Sequence, residues 1–484
     1  MSILVSPPIA SDNIEQLKEL PIENRLFING EFVPSKSRKT FSVVNPTTEE
    51  VSAQVFEAGP EDVNDAVAAL AAAFPPWSKL GALERAKYLF KLADALEKHL
   101  PELGYLDAIT MAKPVDNDYK SCLTTTASAW ANVANTCRSI ENQGDTSIHT
   151  PGFVNLTFRQ PYDVCAAITP WNAPVVMVTQ KLGPDLITGN TLVVKISEKA
   201  PLSPLVLAKC CQEIRLPKGV VNILNGFGRP CAATGKAIKK AAAESNLKNV
   251  TVELGGKSPL IVFDDAYLEK AARASAFSIL VGSVQACIAS SRVFVQSSIV
   301  DDFKKALTTN MAQLRTCGDP LAAGTPRGPQ VDHLQFCRVM GFLNEAKESG
   351  LEMVMGDDCP GETGYFIQPT IIKEVPEDGR VFREEVFGPV VILNTFDDEE
   401  AVLQSANNTS FGLYASVFTK DVSRALRVAK KVEAGNVGVN CTSPTLSLAL
   451  DMLFGGWKQS GEGKEHSKYG TDNWTELKSV YITL

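Results

Sequence analysis

The stretch VCAAITPWNAPVVMVTQKLGPDLITGNTLVVKI, Val164 to Ile196, reads as strand, helix, strand. An apolar run from Val164 to Ile168 is followed by a helix after Pro174 and a second apolar run from Thr191 to Ile196. The alternation continues with a helix from Leu202 to Gln212 and a strand from Gly219 to Leu224. Repeated strands with helical crossovers imply a parallel sheet, so the fold class is α/β. Such a sheet takes its ligand at the carboxyl ends of its strands. Three of those ends carry Pro170-Trp171-Asn172, Lys195 to Glu198 and Asn225-Gly226-Phe227-Gly228.

Outward from this block, Leu26 to Val44 reads as a hairpin broken by Asn29-Gly30 and Pro34. Apolar residues at helical spacing predict helices over Glu61 to Ala73, Ala82 to Lys98 and Cys122 to Arg138, with Pro75-Pro76 punctuating the first two. After this block, one helix over Ala232 to Lys248 leads to a strand at Asn249 to Glu253. A second α/β unit begins after Gly256, with strands at Leu260 to Phe263, Arg292 to Gln296 and Val390 to Phe396 and helices at Leu268 to Leu280 and Val300 to Leu314. The tail is a glycine-rich loop, Gly455 to Gly461, and then an alternating strand over Trp474 to Leu484 suited to pairing at an edge.

Composition narrows the function classes. A chain of 484 residues suits two large domains. With 44% hydrophobic and 21% charged residues and a formal charge of -8, it reads as a soluble protein whose partner is a small molecule, not nucleic acid or an anionic membrane. No apolar run reaches the roughly 18 residues that span a bilayer. The first twenty residues carry Asp12, Glu15 and Glu19 and lack the pattern of a secretory or transit peptide. The 11 cysteines match no zinc spacing and suit reduced, mostly buried thiols, which points to the cytoplasm. The 4 histidines form neither a HExxH pattern nor a GxSxG partner, so no metal site is expected.

Two residues carry the chemistry. Glu253 opens the run Glu253-Leu254-Gly255-Gly256-Lys257-Ser258-Pro259, whose glycines let a loop pass close to a ligand. A carboxylate there can serve as general base toward water, or it can be an ordinary exposed strand-end Glu. Cys287, in Gln285-Ala286-Cys287, stands near the start of a sheet domain, where a thiolate can be a nucleophile. Asn172 reads equally well as turn chemistry.

These motifs, with Lys195-Ile196-Ser197-Glu198, Ser291-Arg292, Glu385-Val386-Phe387-Gly388-Pro389 and Phe454 to Gly461, resemble the aldehyde dehydrogenase superfamily from about Leu26 to Ile482. The resemblance implies a Rossmann-like nucleotide-binding domain over residues 1–135 and 156–255, an α/β catalytic domain over 256–455 and a small β bridging element over 136–155 and 456–484. It implies that Cys287 attacks an aldehyde, that the Asn172 amide and the Cys287 backbone N–H hold the oxyanion, and that Glu253 activates the water that releases the acid. NAD is the implied cofactor. Ile168, Pro170, Trp171, Lys195, Glu198, Gly228, Gly235, Glu385 and Phe387 are implied to contact it, with Lys195 and Glu198 at the adenosine ribose and Glu385 at the nicotinamide ribose. A carboxylate at Glu198 would repel a 2′-phosphate and so favours NAD over NADP. A homodimer or homotetramer built through Arg138 to Asn155 and Glu476 to Leu484 is also implied.

The chain departs from the family between the strand at Gly219 to Leu224 and the strand at Asn249 to Glu253. A βα unit of about 20 residues that ends in a Gly-Ser turn facing the pyrophosphate is missing. Pro230-Cys231 stand in place of that turn's first residues, and Gly235 remains. Loss of an interior strand should leave a gap in the sheet and weaken the phosphate site. The alternative implied is a catalytically impaired relative with a binding or scaffold role. Smaller departures at Gly282-Ser283, Val284 and Leu453 bear on the approach to Cys287.

Overall fold

The computed structural model describes residues 11–115, 144–228, 231–280, 285–356, 361, 363–443 and 452–484. The expected helix over Cys122 to Arg138, Pro230 and residues 282–284 lie outside them.

The hairpin forms as its turn chemistry predicts. Asn29 and Gly30 take φ of 53° and 78°, the left-handed pair that a two-residue hairpin turn requires. Leu26–Ile28 and Glu31–Val33 pair across it with Phe27 opposite Phe32. The hairpin then extends a parallel sheet, Phe27 pairing antiparallel with Ile223. The strand order is Glu31–Val33, Leu26–Ile28, Val221–Gly226, Thr191–Ser197, Val164–Ile168, the last three being parallel. Leu192, Val194, Ile196 and Ile223 are fully buried against Leu182, Leu186 and Leu205 of the helices Pro174–Thr188 and Leu202–Glu213, which explains why these strands read as continuous apolar runs.

Two expectations need correction here. The helix predicted to stop before Pro75-Pro76 runs through both prolines from Pro60 to Ser78, because burial of Ala73 and Trp77 outweighs the lost backbone donors of its last turn. The strand expected over Asn249 to Glu253 is only Val252–Glu253, and it pairs with Gly461–Glu462 of the tail, not with the first sheet. Among the described residues no strand lies between Val221–Gly226 and Val252–Glu253. The Val164–Ile168 strand is therefore a sheet edge, and Ile168 at its end is 49% exposed.

The second sheet has seven strands in the order Glu352–Met355, Thr370–Lys373, Val390–Phe396, Arg292–Gln296, Pro259–Val262, Tyr414–Phe418, Asn436–Val439. All neighbours are parallel except the first pair. Helices Leu268–Leu280, Val300–Gln313, His333–Glu348, Glu399–Asn407 and Val422–Lys431 belong to the same half of the chain. Arg292 stands at the head of its strand, fully buried, and donates to the carbonyls of Lys257 (3.0 Å), Ser405 (3.1 Å) and Ala406 (2.8 Å). Its side chain thus ties the loop after Gly256 to the end of a distant helix.

A third sheet joins the tail strand Thr475–Thr483 along its whole length to Phe153–Pro161, with Thr146–Ser147 on the far side. The outer edge of Thr475–Thr483 has no partner strand among the described residues, and Leu477, Tyr481 and Ile482 on it are exposed. No described helix is long and apolar enough to cross a membrane.

Arg292→Met keeps the bulk of the side chain but strands three carbonyls. It should cost about 3 kcal/mol or more, read as a lower thermal midpoint for the domain that contains residues 257–443. An unchanged midpoint would mean those carbonyls find other donors.

Candidate active site

The loop from Glu253 to Ser258 crosses between the two large sheets and is clamped by the tail. Leu254 N–H donates to the Ser460 carbonyl at 2.9 Å, Ser460 Oγ donates to the Gly255 carbonyl at 2.6 Å, and Gly412 N–H donates to the same hydroxyl at 2.9 Å. Both glycines are needed for closeness. A Cβ on Gly255 would lie 2.9 Å from the Glu385 carboxyl carbon, and one on Gly256 would collide with the Cys287 carbonyl oxygen. Gly256 N–H instead donates to Glu385 Oε1 at 2.7 Å.

Cys287 sits on the turn that feeds the Arg292–Gln296 strand. Buried Gln285 anchors that turn by accepting from Val331 N–H at 2.9 Å, and Ser290 N–H donates to Ser278 Oγ at 3.0 Å. The Cys287 thiol lies close enough to the Glu253 carboxyl to act on its ionisation. Burial raises the Glu253 pKa to about 7, while the Lys181 charge and the Cys287 thiol pull it down. This carboxyl is half ionised near neutrality, the condition a general base needs.

Lys181, on the Pro174–Thr188 helix, is ion-paired with Glu465 of the tail. Burial lowers the Lys181 pKa to about 8, and Glu253 opposes that shift. Sequence reasoning missed both residues. Lys181 had a weak readable signal, being the one cation between Pro174 and Ile187. Glu465 had none, since only folding brings the tail to that helix.

The residues expected at a cofactor form two groups. In the first, Lys195 Nζ and Glu198 Oε2 are 3.5 Å apart at the end of the Thr191–Ser197 strand, and a Cβ on exposed Gly228 would meet both, at 3.5 Å and 3.8 Å. The Cβ-free gap and the open carboxylate form a cradle that fits a ribose. Burial lowers the Lys195 pKa, with Glu198 acting against it. In the second group, Glu385 lies against Gly256, its pKa raised to about 7 by burial and held down by the Gly256 N–H and Lys257. Phe387, in the left-handed region at φ 60°, meets Trp171 edge-on with ring centroids 5.4 Å apart. A non-glycine residue in that region is a strained feature of a kind that gathers at functional sites. Lys199 Nζ lies 5.4 Å over the other aromatic, Trp171, and is held by Asp332 at 2.6 Å.

Ile168 ends the edge strand and pairs in register with Lys195 of the first group, and Pro170 follows two residues later, next to Trp171. Asn172 stands on the turn before Pro174, half-buried, and its side chain makes no hydrogen bond to the described residues, so it is not spent on its own loop. Gly235 is not in a turn. It lies inside the Cys231–Ser245 helix, buried where a Cβ would sit 3.1 Å from Leu254, so its missing side chain serves helix packing.

One cluster outside this site has metal-ligand chemistry: His99, Cys210 and Glu213. There His99 Nδ1 pairs with Glu102 at 2.8 Å and Nε2 with Glu213 at 2.9 Å. The Glu102 hydrogen bond leads in raising the imidazole pKa against burial, and both ring nitrogens are engaged by carboxylates.

Comparison with known proteins agrees with this geometry. The model of the aldehyde dehydrogenase family matches residues 32–480. An aldehyde dehydrogenase of Emericella nidulans is 40% identical over 95% of each chain, and the mitochondrial aldehyde dehydrogenase of Homo sapiens is 38% identical over 95% of this chain and 92% of its own. The solved NAD+ complex of an aldehyde dehydrogenase from Bacillus cereus superposes with a TM-score of 0.93 at 36% identity, covering 99% of this chain and 100% of that one. By the family match over residues 32–480 and relatives 40% identical along nearly the whole chain, the chain belongs to the aldehyde dehydrogenase family.

Proposed function

We propose that this protein oxidises an aldehyde to the carboxylic acid with NAD, Cys287 acting as nucleophile and Glu253 as general base. The observation that carries the reading is the packing of the Glu253 loop against Cys287, a Cβ on Gly256 colliding with the Cys287 carbonyl, together with a buried Glu253 carboxyl whose pKa is raised to about 7. Cys287 sulfur adds to the carbonyl carbon, giving a thiohemiacetal whose oxyanion is held by the Asn172 amide and the Cys287 N–H. The half-buried place of Asn172 on the turn before Pro174 supports that role. NAD+ supplies the acceptor for the hydride that leaves this carbon, which makes the bound group a thioester. Glu253 then takes a proton from water, the hydroxyl adds to the thioester carbon, and the C–S bond breaks to release the acid and restore the thiol.

Lys195, Glu198 and Gly228 would hold the adenosine ribose, and Glu385, Trp171, Phe387, Pro170 and Ile168 would line the nicotinamide side. The Glu198 carboxylate beside Gly228 supports NAD over NADP. The same reading divides the chain into a nucleotide-binding domain, a catalytic domain and a bridging element, and makes it a cytoplasmic homodimer or homotetramer. The exposed apolar edge of Thr475–Thr483 supports such an assembly.

Calorimetry should detect micromolar NAD binding and weaker NADP binding. A folded protein that binds neither would overturn the reading. Cys287→Ala should abolish turnover. Glu253→Gln should release one equivalent of NADH per active site and then slow acid release roughly 10²–10⁴-fold. Asn172→Ala should lower kcat about 100-fold or more, a test of the oxyanion donor.

The acid-release step should rise with pH through about 7, as Glu253 ionises. The Lys181 cation lowers the Glu253 pKa, so Lys181→Met should move that limb to higher pH. A limb that stays in place would remove Lys181 from the account of the base.

A further inference from the structure

The helices Ala82–Lys98 and Leu100–Met111 both pack against the helix Leu202–Glu213, and His99 is the residue between the first two. The His99 N–H donates to the Leu96 carbonyl at 3.0 Å and its carbonyl accepts from Leu103 N–H at 2.9 Å, so both neighbouring helices fix its backbone. Cys210 and Glu213 stand in the last turn of Leu202–Glu213, at the i, i+3 spacing that puts two side chains on one face. A ring nitrogen of His99, the Cys210 Sγ and a Glu213 carboxylate oxygen all lie within 4.8 Å of one another. Nothing in the reaction just described uses these three groups.

The two ring nitrogens have different neighbours. Nδ1 meets Glu102 at 2.8 Å, and Glu102 is in turn held by Lys209 Nζ at 3.1 Å. Nε2 faces Glu213 at 2.9 Å. A histidine that binds a metal ordinarily donates its other N–H to a carboxylate, which sets the tautomer and aims the remaining nitrogen at the ion. Glu102 supplies that carboxylate here, and Nε2, on the Glu213 side, is the nitrogen left to ligate. An ion pair of His99 with two carboxylates accounts for both nitrogens but not for the thiol, since Cys210 is fully buried and yet its sulfur lies among the charged groups. The Glu213 side chain is 41% exposed and that of His99 16%, so an ion has a way in from solvent past Glu213. Zinc bonds of about 2.0–2.3 Å set neighbouring donors roughly 3.5 Å apart. Glu213, as the exposed member, is free to draw back from Nε2 to that separation.

We propose that His99 Nε2, Cys210 Sγ and the Glu213 carboxylate form a Zn2+ site that staples the helix Leu202–Glu213 to the two helices that meet at His99. Imidazole, thiolate and carboxylate are all zinc ligands, whereas Mg2+ and Ca2+ take oxygen donors and gain nothing from a sulfur. On binding, the imidazole gives its Nε2 lone pair, the thiol proton passes to solvent as the S–Zn bond forms, and water completes four-coordination. The stapled helix is the next element after the strand Thr191–Ser197, whose end carries Lys195 and Glu198. The ion would therefore brace the first sheet from the face opposite its open edge chemistry, with no part in the steps at Cys287.

The test uses the full-length protein, stripped of metal with a chelator and titrated with Co2+ alone and with Zn2+ alone. Co2+ should bind with the sulfur-to-metal charge-transfer absorption of a cobalt–thiolate bond, Zn2+ should displace it and raise the thermal midpoint, and Mg2+ should do neither. Cys210→Ser should abolish the absorption. Glu102→Gln, which removes the carboxylate behind the ring, should weaken Zn2+ binding about 10–100-fold. Glu213→Gln, a change at the surface, should weaken it at least as far, and both variants should keep the absorption. Should Cys210→Ser fail to unfold cooperatively, Cys210→Ala serves in its place. Absence of saturable Co2+ binding would overturn the inference. So would an absorption that survives loss of the Cys210 sulfur, which would assign the metal to another thiol such as Cys337, whose Sγ lies 3.3 Å from His333 Nε2. Zn2+ binding that leaves the thermal midpoint where it was would overturn the stapling role.

Discussion

The close passage of the Gly255-Gly256 backbone beside the Cys287 carbonyl and the Glu385 carboxyl is the constraint on which the rest of the site depends. Only residues without a Cβ can make that approach. It brings the Glu253 carboxyl to the Cys287 thiol from one side and the Glu385 carboxyl to the Gly256 N–H from the other. The tail holds the loop down through Ser460, whose hydroxyl and carbonyl each take part. Arg292 anchors its far end at the Lys257 carbonyl. Three stretches far apart in the chain therefore meet at one joint, and both the proposed nucleophile and the proposed base hang from it.

Burial at that joint sets the electrostatics. Desolvation disfavours charge of either sign, so it raises Glu253 and Glu385 to about 7 and lowers Lys257 to about 7 and Lys181 to about 8. Two acids and two bases titrate within reach of neutral pH, and small changes of partner decide which are charged. Partial neutralisation also limits the cost of gathering them out of water. Buried polar atoms of Glu253, Gln180 and Glu465 have no hydrogen-bond partner among the described residues.

The nucleotide-binding sheet is short on one side. Val164–Ile168 is its last strand, and the Val252–Glu253 strand that leads into the site pairs with the tail. The end of the sheet at Val164–Ile168 does not bear on the loop after Glu253, because that loop is fixed by Ser460, Glu385 and Arg292, none of which belongs to that sheet. Lys195, Glu198 and Gly228 stand together, since those lie at its strand ends.

Local pattern alone determined the parallel strands from Val164 to Gly226, the Asn29-Gly30 hairpin and the helices over Ala82 to Lys98 and Leu268 to Leu280, because alternation, turn chemistry and apolar period act over a few residues. Motif order was enough to single out Cys287, Glu253 and Asn172. The tertiary structure alone decided that the helix from Pro60 survives two prolines, that Val252–Glu253 leaves the sheet for the tail, and that Gly235 serves packing. It alone brought Glu465 of the tail to Lys181. Those outcomes depend on burial and on contacts between residues hundreds of positions apart, and neither quantity is encoded in any local window of the chain.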